Sequence, residues 1–267
     1  MRLILILLLS MIVGPALAGE TPWLEVAPGV QMRLVTTGEV KSDGRTLAAI
    51  EIDMPEATKT YWHVPGDTGL PLEVDLGRSQ GVSGHQVLWP FPTVERTPDY
   101  LDYVYRGHTV IPMLLNVEGD APQLEASLVM GICSDICIPA QAQFSMPLRD
   151  GAPDRANGLR IRQALADVPM AWPEGEPGFG DARLVPEQGA VTIAVDPAAV
   201  EITSLIATFD DGMPLLGVPQ IGPEATVVQI PVLDTADMNG LVGREVRLTF
   251  MTSEGAFETR RTIGPPG

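Results

Sequence analysis

Basic residues are scarce in this sequence of 267 residues. Seventeen lysines and arginines stand against 34 aspartates and glutamates, which gives a formal net charge of −17. Lysine occurs at two positions alone, Lys41 and Lys59. Nucleic-acid binding depends on clustered basic side chains that neutralise phosphates, and the sequence contains no such cluster. We therefore expect no nucleic-acid partner.

Long apolar segments are also scarce beyond the first 18 residues. None of the later segments approaches the roughly 20 apolar residues that a bilayer-spanning helix needs. Residues 1–18 differ, because Arg2 precedes an apolar run over residues 3–13, and Ala16-Leu17-Ala18 has the small-x-small pattern of a cleavage site. We predict a signal peptide over residues 1–18, export of the chain, and no membrane span after cleavage.

Cysteine is limited to Cys133 and Cys137. In an oxidising compartment two cysteines are expected to pair. A fully extended chain would separate their Cα atoms by about 13 Å, whereas a disulfide needs about 4.4–6.8 Å, so the intervening Ser-Asp-Ile must form a turn. A disulfide that closes so short a loop stabilises the fold by only about 2 kcal/mol. The spacing therefore favours a bond that opens and closes.

Two other interpretations of the cysteines are compatible with the spacing. The bond could be structural, as is usual for one disulfide in an exported domain, and the chain would then be a non-catalytic binding module. Alternatively, two thiolates with Met130, Met146 or a histidine could hold Cu(I), which soft ligands select. The chain would then be a copper-handling protein.

Turn-forming residues are plentiful, with 27 glycines and 25 prolines separating short apolar or alternating segments. This pattern is typical of β-sandwiches. Strands are predicted at residues 31–37, 47–53, 58–63, 110–117, 124–131 and 142–148, and again at 191–195, 205–209, 226–232 and 245–252. Between the two groups, residues 157–168 have helical spacing and residues 169–180 are rich in proline and glycine.

These segments predict an all-β protein with two β-sandwich domains. The first occupies residues 19–150 and the smaller second one residues 182–267, with the helix and a Pro/Gly-rich linker at 151–181. All four tyrosines, all three histidines and both cysteines lie in the first domain. We therefore expect any chemistry to belong to the first domain.

The first domain resembles the N-terminal periplasmic domain of the DsbD/ScsB group of protein-disulfide reductases, nearer its ScsB-like branch. Four segments in order carry the resemblance: YWHVPGDTGLP at 61–71, WPFP at 89–92, VIP at 110–112 and GICSDICIPA at 131–140. It extends over about residues 23–148. It implies immunoglobulin-like sandwiches for both domains, a periplasmic location, and the activity of a thiol–disulfide oxidoreductase.

The resemblance also implies roles for particular residues. Cys133 and Cys137 would be the redox pair, with Cys137 attacking the substrate disulfide by thiol–disulfide exchange. Supporting roles follow for residues around the pair: Tyr61 and His63 on a flanking strand, Glu95 to Tyr105 as a cap, Tyr100 in place of a shielding phenylalanine, and Asp135 between the cysteines. Asp135 would either form the turn or, as a second negative charge, raise the thiol pKa.

Relatives in this group continue into a membrane domain and a thioredoxin-like domain, which this sequence does not contain. The expected partners are therefore separate proteins. A CcdA- or DsbD-like membrane protein would donate electrons, and oxidised periplasmic thioredoxin-fold or other disulfide proteins would accept them. No cofactor and no metal are expected for this exchange.

Overall fold

The computed structural model describes residues 19–148, 153–222, 226–233 and 237–266. The fold is all-β and immunoglobulin-like, which confirms the predicted class. The predicted signal peptide at residues 1–18 lies outside the described residues. Within the described ranges, no helix combines the length and apolar character needed to cross a membrane.

Within residues 19–148, eleven strands form what we call the N-terminal unit. They are β1 (Leu24–Ala27), β2 (Val30–Thr36), β3 (Arg45–Asp53), β4 (Lys59–Gly66), β5 (Glu73–Asp75), β6 (Val82–Val87), β7 (Thr93–Arg96), β8 (Leu101–Arg106), β9 (Thr109–Val117), β10 (Gln123–Cys133) and β11 (Cys137–Pro147). One sheet has the order β1-β2-β3-β9-β6 and the other β11-β10-β4-β8-β7, with β5 beside β10. Alternating apolar side chains from both sheets fill one shared core.

One helix, α1 (Arg155–Leu165), covers the outer face of the first sheet. It begins before the predicted residue 157 because the Asp154 side chain accepts a hydrogen bond from the Asn157 backbone N at 2.9 Å and caps the helix. Ile161 is buried against Val35 and Ala49. The helix is therefore held to the N-terminal unit by its apolar face.

Eight strands follow in the described part of residues 170–264 and form what we call the C-terminal unit. They are β12 (Met170–Ala171), β13 (Phe179–Val185), β14 (Ala190–Val195), β15 (Ser204–Thr208), β16 (Gln220–Ile221), β17 (Val227–Pro231), β18 (Glu245–Thr252) and β19 (Gly255–Gly264). The long strand β19 pairs with β18 on one side and with β13 on the other. A separate apolar core lies among these strands.

The two units touch near strand β4. Ile206 of β15 is buried in the core of the N-terminal unit, and Gly212 lies against Val64 of β4. Strand β4 lies between β10 and β8 in its sheet. It therefore adjoins the hairpin that carries the cysteines and also contacts the C-terminal unit.

Candidate functional site

The disulfide closes the tip of the longest hairpin in the N-terminal unit. Cys133 ends β10 and Cys137 begins β11, and the two residues face each other in the antiparallel register. Their sulfur atoms are 2.04 Å apart and their Cα atoms 4.0 Å apart. Ser134 N donates a hydrogen bond to Ile136 O at 3.2 Å, so the three residues between the cysteines form the turn that the spacing predicts.

The two cysteines differ in exposure. Cys133 is 2% exposed, whereas Cys137 lies in an exposed stretch at residues 134–139. Ile136 in that stretch is 73% exposed, and Asp135 is exposed in the turn. An approaching protein would therefore meet Cys137 before Cys133.

Tyr61 connects the neighbouring strand β4 to the disulfide. Its hydroxyl donates a hydrogen bond to Cys133 Sγ at 2.9 Å and lies 3.8 Å from Cys137 Sγ. The side chain is fully buried. Strand pairing explains the position, because Lys59 of β4 pairs with Cys133 and Tyr61 follows two residues later.

The turn after β4 has a shape that fits the Tyr61 ring. Gly66 adopts a φ of +93°, and a Cβ there would lie 2.1 Å from Leu101 O. A Cβ on Gly69 would lie 2.2 Å from Tyr61 Cδ1. Glycine is required at both positions, the first for its backbone conformation and the second for close approach of the ring. The Thr68 hydroxyl reaches within 3.5 Å of the Tyr61 hydroxyl.

A buried ion pair lies beside this turn. Lys59 Nζ donates to Asp102 Oδ2 at 3.0 Å and to Glu95 Oε1 at 3.2 Å. Asp102 is fully buried and also accepts hydrogen bonds from Thr68 N at 3.0 Å and Thr68 Oγ1 at 2.6 Å. Burial disfavours the ammonium group, but its hydrogen bonds to the two carboxylates outweigh this cost and raise the pKa of Lys59.

Glu95 completes the charge balance of the network. Burial alone would raise its pKa, but hydrogen bonds from Tyr100, Arg106 and Lys59 hold the pKa at about 2. The Tyr100 hydroxyl and Arg106 Nη2 each lie 2.6 Å from a Glu95 oxygen. The hydrogen bond to Glu95 raises the pKa of Tyr100. Two carboxylates are thus matched by two cations.

The segment expected to form a cap is a β-hairpin made of β7, β8 and the turn between them. Thr97 N donates to Tyr100 O at 2.9 Å and closes the turn. The Tyr100 ring lies over Lys59 Nζ, which is 4.6 Å from the ring centroid. Glu95 and Tyr100 therefore join Lys59, and through it the network that reaches Tyr61.

His63 and Tyr105 have other partners. The His63 ring lies 4.0 Å from the Trp62 ring and 5.6 Å from the Trp89 ring, measured between centroids. Burial, and then the positive charge of Arg247, lower the pKa of His63 to about 4. The Tyr105 hydroxyl donates to Pro90 O at 2.6 Å, and burial raises its pKa. Tyr105 belongs to the core and His63 lies near Arg247 of the C-terminal unit, and no described contact of either residue is with the sulfur atoms.

Sequence reasoning missed four residues that the structure brings to the site: Lys59, Thr68, Gly69 and Asp102. A signal was present for the first, because it is one of two lysines and lies within a predicted strand. Thr68 and Gly69 lie in the first of the segments that carry the family resemblance. Asp102 gave no local sign of its role.

The ligand set considered for copper is dispersed. Met130 and Met146 are buried in the core, where Met130 Sδ accepts a hydrogen bond from the Thr60 hydroxyl. Among the described residues, no group of three or more His, Cys, Asp or Glu side chains is arranged to hold a metal ion.

The N-terminal unit matches a known protein family, and the chain shares its fold with a solved structure. Residues 31–148 match the family model described as "Thiol:disulfide interchange protein DsbD, N-terminal". Among solved structures, the chain is similar to the N-terminal periplasmic domain of ScsB from Proteus mirabilis, with a TM-score of 0.73 and 20% sequence identity. The similarity covers 92% of this chain and 99% of that chain, and at this identity it shows a shared fold. No curated protein matches the sequence.

Proposed function

The N-terminal unit belongs to the DsbD N-terminal domain family, and from this premise we propose that the chain relays electrons in the periplasm by thiol–disulfide exchange through Cys133 and Cys137. The observation that carries the proposal is the unequal exposure of the two cysteine residues at a hairpin tip. Exchange proceeds through a mixed disulfide and needs one accessible thiol and a second one nearby. This arrangement meets both needs.

The proposed reaction starts from the reduced pair. The Cys137 thiolate attacks one sulfur of a partner's disulfide, and the partner's other sulfur leaves as a thiolate that takes up a proton. Cys133 then attacks the Cys137 sulfur of the mixed disulfide, which restores the internal bond and releases the second partner thiol. In sum, one partner disulfide is reduced to two thiols while the Cys133–Cys137 pair is oxidised.

Electrons must then be returned to the pair. We assign this step to a membrane protein of the CcdA or DsbD kind, and we assign acceptance to oxidised periplasmic thioredoxin-fold or other disulfide proteins. The family of the N-terminal unit supports redox partners of this class. The predicted signal peptide at residues 1–18 supports a periplasmic location.

Trapping of the mixed disulfide tests the order of attack. Cys133→Ala leaves the exposed thiol of Cys137, and we expect it to form a stable mixed disulfide with glutathione disulfide. Cys137→Ala leaves the buried thiol of Cys133, and we expect it to react at least about tenfold more slowly, because exchange depends on access. Mass spectrometry of the intact protein over time measures both rates. Failure of both variants to form the adduct would contradict the proposal.

A further inference from the structure

We propose that Lys59, Asp102, Thr68 and Gly69 are positioning residues that hold the Tyr61 hydroxyl on Cys133 Sγ and thereby favour ionisation of that buried cysteine. This inference rests on the proposed function, since the ionisation of Cys133 matters for the second exchange step. We call these four residues the tyrosine clamp. None of them needs to touch the partner protein.

The second exchange step makes a demand on the protein at Cys133. In that step the Cys133 thiol attacks Cys137 Sγ of the mixed disulfide, the internal disulfide forms, and the departing partner sulfur ends as a thiol with the proton that Cys133 gives up. The attacking species is the thiolate, and burial disfavours a thiolate. Cys133 is 2% exposed, so a hydrogen-bond donor is needed there.

Tyr61 is the donor that the described structure provides. Its hydroxyl lies 2.9 Å from Cys133 Sγ, and Tyr61, Val104 and Cys133 form a small buried cluster. A phenol that donates to sulfur stabilises the thiolate more than the thiol. The hydroxyl must stay within this distance for the effect to persist, because hydrogen bonds weaken steeply away from their preferred geometry.

Gly69 fixes the ring from one side. A Cβ on Gly69 would lie 2.2 Å from Tyr61 Cδ1, 2.6 Å from Tyr61 Cε1 and 2.6 Å from Pro65 Cβ, far inside any allowed contact. The φ of Gly69 is outside the left-handed range, so the demand for glycine here comes from neighbouring side chains, the Tyr61 ring first and Pro65 second, and not from the backbone conformation. Any larger residue must push the Tyr61 ring away from its present position.

Asp102 and Lys59 fix the turn that carries Gly69. Asp102 accepts both the Thr68 N and the Thr68 Oγ1 hydrogen bonds, which anchors the turn to β8. A buried carboxylate needs a compensating cation, and Lys59 Nζ supplies it at 3.0 Å. The same ammonium lies 5.6 Å from the centroid of the Tyr61 ring. Loss of Lys59 therefore leaves Asp102 without its cation and also removes the ammonium group beside the Tyr61 ring.

Other charged groups face this region and bear on the test. Glu95 shares Lys59 and is itself paired with Arg106. Asp135 is exposed in the turn between the cysteines, where its charge is screened by solvent. The carboxylates of Glu95 and Asp102 are matched by the cations of Arg106 and Lys59. The Tyr61 hydroxyl is the group that contacts Cys133 Sγ.

The test measures the thiol pKa of Cys133 directly in a Cys137→Ala background, where one thiol remains. Ultraviolet absorbance of the thiolate is followed against pH. Tyr61→Phe should raise the pKa by about one unit, and Gly69→Ala and Lys59→Met should raise it by a similar amount. A rise of one unit slows attack by Cys133 about threefold at neutral pH, since lower thiolate content is partly offset by higher nucleophilicity.

Matched controls separate a specific effect from a general one. Lys41→Met removes the chain's other lysine, which is exposed, and Gly264→Ala adds a methyl where the nearest atom is 3.4 Å away. Both should leave the pKa unchanged. Lys59→Arg keeps a cation at this position and should hold the Cys133 pKa close to that of the parent. Tyr61→Phe combined with Lys59→Met should give the same Cys133 pKa as Tyr61→Phe alone, because the lysine acts through the tyrosine.

Two results would overturn the inference. The first is a Cys133 pKa in folded Gly69→Ala and Lys59→Met proteins equal to that of the parent, while Tyr61→Phe shifts it. The second is simple addition in the double variant, which would mean that Lys59 acts on the sulfur without Tyr61. If Lys59→Met does not fold, Thr68→Val against Thr68→Ser gives the same comparison. Absence of exchange in the wild-type protein would instead overturn the proposed function, whatever the pKa values.

Discussion

Charged side chains are buried in the N-terminal unit but remain at the surface in the C-terminal unit. The N-terminal unit buries Arg33, Glu51, Lys59 and Asp102. In the described part of the C-terminal unit, the buried polar side chains are threonines, and an ion pair such as Arg260 with Asp210 leaves those side chains 42% and 55% exposed. Both units nevertheless have apolar cores of the same kind.

The difference shows which unit bears the free-energy cost of burying charged side chains. Burial of a charge is unfavourable unless the charge is paired and hydrogen-bonded, whereas an exposed pair contributes little either way. The pair Arg33–Glu51 lies in the sheet that α1 covers, and the pair Lys59–Asp102 lies beside the disulfide. The C-terminal unit has no comparable demand in its described part.

Removal of one buried charge should have the largest effect on stability. We expect Lys59→Met to lower the free energy of unfolding by about 3 kcal/mol or more, because Asp102 is left buried without its cation. Arg260→Met in the C-terminal unit should change it by less than about 1 kcal/mol. Urea unfolding at neutral pH measures both. Equal effects of the two substitutions would contradict the comparison.

Protonation of His63 should have the next largest effect, at the place where the two units meet. The pKa of His63 is about 4 in the folded chain and about 6.5 in the unfolded chain. The unfolded chain therefore binds the proton first as the pH falls, and stability should decrease between about pH 7 and pH 4, by up to about 3 kcal/mol.

His63→Gln should remove most of this pH dependence, because glutamine does not titrate. His85→Gln changes an exposed histidine and should leave the pH dependence as it is in the wild type. Urea unfolding at pH 7, 5.5 and 4 distinguishes the two variants. A wild-type stability that does not change over this range would show that His63 is not buried at the contact.

Glu95 should give a smaller effect at lower pH. Its folded pKa of about 2 is below the ordinary value of 4.5, so its contribution is present above about pH 4.5 and is lost as the pH falls toward 2. We expect a loss of about 2 kcal/mol after allowance for partial exposure. Glu95→Gln should flatten the fall in thermal midpoint between pH 5 and pH 2.5. If the thermal midpoint of Glu95→Gln falls as steeply with pH as that of the wild type, a group other than Glu95 causes the fall.

The smallest effect on stability should come from the exposed hairpin tip. Ile136→Ser should alter the free energy of unfolding by less than about 0.5 kcal/mol, because Ile136 is 73% exposed. The same variant should slow exchange with a protein disulfide, since the residue borders Cys137. Ile221→Ser, at a 47% exposed isoleucine of the C-terminal unit, should leave both quantities unchanged. Equal exchange rates in the two variants would show that the hairpin tip is not part of the interface with the partner protein.

About half of the strand pattern was accessible from the sequence, because ten of the nineteen strands in the described residues correspond to predicted segments. Strand β18 matches the predicted residues 245–252, and β9 and β10 differ from their predicted bounds by one or two residues. Each of these strands buries one face, so that apolar side chains recur with a period of two. The disulfide followed from the presence of two cysteines in a chain predicted to be exported, and its turn followed from their four-residue separation.

The neighbours of the disulfide were less accessible, for a physical reason. Asp102 is the second residue of β8, and its partner Lys59 is 43 residues away in sequence. Periodicity reports the solvent exposure of one strand and carries no information on which distant strand lies beside it. The contacts of His63 and Tyr105 depend on the same long-range packing.

The reduction potential of the Cys133–Cys137 pair tests the central claim most directly. Equilibration of the wild-type protein with graded ratios of reduced and oxidised dithiothreitol or glutathione, followed by thiol labelling, gives this value. The account predicts a potential above about −300 mV, in the range of proteins that exchange thiols and disulfides. A potential below about −300 mV, with a bond that resists reduction, would identify a structural disulfide and contradict the relay.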